Sequence, residues 1–138
     1  MTVGFNYLGK LGQLGNQMFQ YASTLGVARY TGVAFMIPNH DELVVDALGN
    51  RLRIELFDCF DIKPDNVGLL RTDNILSEKG FEFDNSVLHV SRQSDFTLYG
   101  FFQTEKYFQH CADEVRTQFT FKQEIVDECK EIVEECFE

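Results

Sequence analysis

The stretch Val3-Gly4-Phe5-Asn6-Tyr7-Leu8-Gly9-Lys10-Leu11-Gly12-Gln13-Leu14-Gly15-Asn16-Gln17-Met18-Phe19-Gln20-Tyr21-Ala22 changes its periodicity halfway along. Val3 to Leu8 reads as a first strand, and Gly9 to Gly15 as a glycine loop. From Asn16 to about Thr31, residues Met18, Phe19, Ala22, Leu25 and Ala28 fall on or near one face of a helix. Val33 to Ile37 is a short β-favouring run ended by Pro38. Strand, helix, strand in this order is a βαβ unit, which implies parallel strands joined by a right-handed crossover. The expected fold class is α/β, a Rossmann-like parallel sheet flanked by helices.

The loop also carries chemistry. The chain has a formal net charge of -10, yet its first 40 residues contain no Asp or Glu. The first N–H groups of a helix lack intrahelical partners and favour an anion. Gly15 has no Cβ to keep a phosphate away, and Asn16 is a favoured N-cap whose amide can donate to a phosphate or sugar oxygen. A plain βα turn also wants glycine and an Asn cap, so a purely structural role stays open at this point. Two familiar phosphate loops fit poorly. Gly4-x-x-x-x-Gly9-Lys10 is followed by Leu11, where a P-loop needs the Ser or Thr that holds Mg²⁺. Gly9, Gly12 and Gly15 are spaced three apart throughout, which is not the dinucleotide spacing. Glu82-Phe83-Asp84, the nearest approach to an Asp-x-Asp metal motif, reads as a surface turn.

Further along, Arg53 to Phe60 suits either a short helix or an extended segment, and Val87 to Val90 reads as a strand. Phe96 to Phe102 reads as the strongest later strand, feeding Thr104 as N-cap of a helix from Glu105 to about Gln118. The last helix runs from Gln123 to at least Phe137, with an apolar stripe of Ile125, Val126, Cys129, Ile132, Val133, Cys136 and Phe137. From Lys122 to Glu138 seven acids and two lysines leave a balance of five negative charges, half the total, on a solvated face. A pI near 4.7 makes nucleic acid a poor partner. The length suits a single domain, 1–138, and 44% hydrophobic residues with 14 phenylalanines mark a globular chain. No apolar run approaches the roughly 20 residues that cross a bilayer, and no signal peptide is visible. Cys59, Cys111, Cys129 and Cys136 form no Cys-x-x-Cys pair, so buried free thiols are expected.

Gly12-Gln13-Leu14-Gly15-Asn16-Gln17-Met18-Phe19-Gln20-Tyr21-Ala22 resembles the N-terminal signature of the inverting α-1,2-fucosyltransferase family. Gln17, Gln20 and Tyr21 are residues that a generic turn does not require. Tyr99-Gly100-Phe101-Phe102-Gln103-Thr104-Glu105-Lys106-Tyr107-Phe108 is similar to a second family segment, and Arg53 to Ile62 to a looser third. The order is the family's, and the resemblance spans roughly residues 5 to 121. The family's His-x-Arg-Arg-x-Asp motif has no counterpart, since the chain contains no Arg-Arg pair. At 138 residues it is about half the family's length. The resemblance therefore implies the N-terminal domain of a two-domain GT-B glycosyltransferase, with the donor-binding half absent.

That resemblance implies transfer of L-fucose from GDP-fucose to the 2-hydroxyl of a galactoside, with inversion and without a metal or cofactor. The partners it implies are the nucleotide-sugar donor and a glycan acceptor. A homo-oligomer through an exposed interdomain surface is also implied, and the setting is cytoplasmic or peripheral to the inner membrane. Gly12, Gly15, Asn16 and Gln17 are expected at the donor, and Gln103, Glu105 and Lys106 at the substrate cleft. Glu105 and His40 are candidates for the general base; His89 and His110 are expected to be structural. The alternative is a non-catalytic Rossmann-like binding domain derived from such an enzyme.

Overall fold

The computed structural model describes residues 1–39, 44–45, 47–49, 51–90 and 93–137. The chain begins with β1 (Thr2–Gly4), α1 (Leu14–Thr31) and β2 (Ala34–Ile37). Then come β3 (Val44–Val45), β4 (Arg51–Leu52), α2 (Leu56–Cys59), β5 (Asn66–Val67) and β6 (Ile75–Ser77). After β7 (Phe96–Tyr99) the chain ends in α3 (Ala112–Gln118) and α4 (Gln123–Phe137). Five strands form one sheet in the order β5-β2-β1-β7-β6, and every pairing in it is parallel. β3 and β4 form a separate antiparallel pair. The α/β class and the parallel sheet are as the βαβ reading expects.

α1 is buried nearly all round from Gln20 to Ala28, which is why its apolar residues form no narrow stripe. One side packs on the sheet through Tyr21, Leu25 and Ala28, and Phe5, Phe35 and Phe102 complete a fully buried aromatic centre. The other side carries the backbone of residues 107–108, which rides directly over Gly26. Gly32 ends the helix at φ 75, and Val33 N donates to Ala28 O.

Several elements depart from expectation for local reasons. The first strand stops at Gly4, because Asn6 turns the chain away. Its amide exchanges two hydrogen bonds with the Leu70 backbone, at 2.8 and 2.9 Å, and its N–H donates to Thr97 Oγ1. Val87 to Val90 is no strand; residues Asn85–His89 form a 3₁₀ turn capped by Asp84, which accepts from Ser86 N at 3.0 Å. Val87 and Leu88 are buried there, and a short apolar run looks the same in either state. The strand from Phe96 ends at Tyr99 instead of Phe102, since Gly100 (φ 146) and Phe102 (φ 51) break the extended path. Thr104 caps the next turn as expected, but the helix from Glu105 is broken into 3₁₀ turns Glu105–Tyr107 and Gln109–Cys111 before α3. Arg53 to Phe60 resolves into the short helix α2 followed by a bridge from Phe60 to Phe121.

α4 forms over the expected residues, but no described residue of it is buried. Phe60 stacks on Phe121 at 4.9 Å and Lys122 N donates to Cys59 O, which tethers its start. Beyond that the stripe is open: Ile132, Val133 and Phe137 are exposed, and Ile125, Val126, Cys129 and Val133 line a groove of about 420 Å³. Cys129 and Cys136, expected buried, are therefore exposed, because no described residue covers the face they share. Cys59 and Cys111 are half-buried, and burial pushes the Cys111 thiol up to about 11.

At the opposite end of α1, Arg29 ties three segments together. Its Nη atoms reach Asp65 at 2.8 and 3.0 Å, and its Nε reaches Glu114 at 2.9 Å. Asp65 also accepts from Phe35 N at 3.1 Å. The Arg29 guanidinium, helped by that N–H, holds the Asp65 carboxyl below its ordinary 3.8 against the opposing effect of burial. A carboxyl lowered in the folded state stabilises the fold above its unfolded pKa and loses that contribution as pH falls through the folded one. Asp65→Asn is expected to cost about 2 kcal/mol at pH 7. The gap to the parent chain should close progressively below pH 3.8 in urea titrations; a constant gap down to pH 2 would contradict the assignment.

Candidate functional site

The order of strands reverses beside β1: β2 lies on one side of it and β7 on the other. In an open parallel sheet, the crevice past the carboxyl ends of two such strands is where ligands collect. Here it is bounded by the loop from β1 to α1 and by the segment leaving β7.

The loop from β1 is shaped by Gln17. This side chain is 1% exposed. Its Nε2 donates to Gly12 O (3.1 Å) and Arg53 O (2.8 Å), and its Oε1 accepts from Glu55 N (2.7 Å). Its side-chain amide is thus committed to the protein, where it fixes the loop against the Arg53–Glu55 segment. Gly12 is conformational too: its φ is 143, and a Cβ there would run into the Asn16 amide.

α1 starts two residues earlier than the sequence suggests. Gln13 is its N-cap, without a side-chain bond, and Asn16 sits in the first turn instead of capping it. The first backbone pairing is Gln17 N to Gln13 O at 2.9 Å. The N–H groups of Leu14, Gly15 and Asn16 have no partner among the described residues. No acid stands in that turn, and nothing lies within 4 Å of where a Gly15 Cβ would be. Asn16 is half-buried and free of the backbone, and its Oδ1 accepts from Gln103 Nε2 at 2.7 Å. Two stretches 87 positions apart thus meet through this bond.

The segment carrying Gln103 is held from beneath. Glu78, just after β6, accepts from Phe101 N (3.2 Å) and Phe102 N (2.9 Å) with its two oxygens. Successive N–H groups in such a turn make a nest for an anion, and here the chain supplies its own. Gly100 must lack a side chain, since a Cβ would lie 2.5 Å from that of Glu78. From α1, Gln20 Nε2 donates to Gly100 O (3.2 Å) and Ser23 Oγ to Phe102 O (3.2 Å). Gln20 Oε1 is the buried side-chain atom without a partner among the described residues.

The remaining candidates separate. Glu105 is exposed and faces a shallow cavity with Phe108, Ala112 and Arg116. Lys106 places its Nζ 5.9 Å from the Phe83 ring, a cation–π contact. His40 lies outside the described residues. His89 and His110 flank Tyr30 edge-on, and His110 Nε2 bonds Gly26 O at 2.7 Å, which makes both part of the packing. Glu78 carries no signal in the sequence: it sits in Ser77-Glu78-Lys79-Gly80, which reads as an ordinary polar turn. No cluster of potential metal ligands occurs among the described residues, and no described helix is long and apolar enough to cross a membrane. No family model, curated protein or solved structure matches the chain.

Proposed function

We propose that the chain contributes to transfer of L-fucose from GDP-fucose to the 2-hydroxyl of a galactoside, as the N-terminal domain of a GT-B glycosyltransferase. The observation that carries this reading is the Asn16–Gln103 hydrogen bond beside the switch point, because it joins the two motifs of the resemblance. The unpaired N–H groups of Leu14, Gly15 and Asn16 would receive negative charge from the donor diphosphate, favoured by the helix dipole and the acid-free turn. Charge that grows on the leaving diphosphate is met by dipoles already in place, which lowers the barrier without reorganisation. The Asn16 and Gln103 amides each offer donors and acceptors suited to sugar hydroxyls. Glu105 remains the candidate base of this chain, and it would have to turn toward the crevice to act.

Calorimetric titration with GDP-fucose and with GDP tests the reading. Both should bind, and Asn16→Ala should weaken GDP-fucose about tenfold or more. Absence of binding by either nucleotide ends it. A second reading, a non-catalytic binding domain, is favoured by the uncovered apolar face of α4. Nucleotide binding without fucose transfer to lactose would select it.

A further inference from the structure

Aromatic rings as well as amides stand past the carboxyl ends of β1 and β7. Tyr7, on the loop after β1, and Tyr99, the last residue of β7, meet edge to face with ring centroids 4.9 Å apart and planes at 87°. Lys10 Nζ lies 6.0 Å from the Tyr7 ring. Tyr99 is 39% exposed and Tyr7 half-buried. The exposure of Tyr99 leaves ring surface open at the carboxyl end of β7, the strand that neighbours β1. The same two chain segments therefore meet twice, once through a pair of rings and once through the amides of Asn16 and Gln103.

We infer that Tyr7 and Tyr99 form a stacking platform for the apolar face of a pyranose ring, with Lys10, Asn16 and Gln103 as its hydroxyl partners. A pyranose has the mixed surface that such a site matches. Its C–H bonds gather on one face, and its hydroxyls radiate from the edge. Ligand sites of this kind combine aromatic walls with a few convergent polar groups. The axial 4-hydroxyl of galactose leaves H3, H4 and H5 together on one face, so a galactoside fits the open ring surface well. The tyrosines then select for the acceptor, while the first turn of α1 serves the donor's charge. This inference rests on the glycosyltransferase reading for the identity of the sugar, and on the ring geometry alone for the presence of a sugar subsite.

Saturation-transfer NMR with methyl β-D-galactopyranoside on the intact chain tests it, because weak binding suffices and no donor is needed. Transfer should be strongest at H3, H4 and H5. Tyr99→Phe should keep affinity, and Tyr99→Leu, which preserves apolar bulk at the strand end, should lose about tenfold. No transfer, or equal transfer in the leucine variant, overturns the platform. Titration of the same samples with GDP-fucose separates the two failures. Donor binding without galactoside binding removes only the platform, and galactoside binding without donor binding removes only the nucleotide reading. Retained donor affinity in Tyr99→Leu also shows that the variant is folded.

Discussion

Gly26→Ala is expected to destabilise the chain by about 3 kcal/mol, enough to lower the melting temperature by roughly 12 °C. In an isolated helix the change would help, since Ala exceeds Gly by about 1 kcal/mol in propensity. Here the added Cβ would run into the Tyr107 carbonyl oxygen and stand 2.9 Å from Phe108 Cα. Those atoms are backbone, anchored by the 2.7 Å bond between His110 and Gly26 O and by Phe102 and Tyr107 in the core. Nothing flexible can yield, so the 3₁₀ turns over α1 must lift off together. Gly15→Ala makes the contrast. It is also a helical glycine, but its Cβ would enter open space, and stability should stay equal or rise slightly. Thermal melts followed by circular dichroism on both variants check the pair; equal melting points would disprove the packing argument.

Gln17→Leu should cost about 4 kcal/mol, since it strands the Gly12 and Arg53 carbonyls and the Glu55 N–H within one interior position. The loss is larger than burial of an extra apolar side chain can offset, because three groups on two separate segments lose their partner at once. Its reach should extend to function. Gly12 frames the Asn16 amide, so release of the loop disorders the turn that faces the crevice. Urea denaturation gives the energy, and hydrogen exchange at Glu55 N, fast in the variant and slow in the parent, localises it. Slow exchange in both would mean that another group holds this amide.

The two glycine changes show why the candidate site was only half legible. Gly12, Gly15 and Asn16 stand out by residue type and spacing, Gln17 and Gln103 through the family resemblance, and the structure does bring Asn16 and Gln103 into contact. Their division of labour follows from burial, which no linear pattern carries. Gln17 pins two loops together through its side-chain amide. Glu78 looks like a turn residue and proves to hold two N–H groups of the second motif. Tyr7 and Tyr99 are 92 positions apart, and only parallel pairing of β1 with β7 puts their rings side by side.

Local chemistry was sufficient for the parallel α/β class, the span of α4, the Thr104 cap and the acid-free opening of α1. Each depends on neighbours within a few residues, through side-chain periodicity, caps and charge. Tertiary contacts alone settled where β1 and β7 stop, that Val87 and Leu88 lie in a 3₁₀ turn, and that Cys129 and Cys136 face solvent. Those outcomes turn on which surface is available to cover an apolar run. A run of valine and leucine is equally content in a strand, a turn or a helix until a partner surface decides between them.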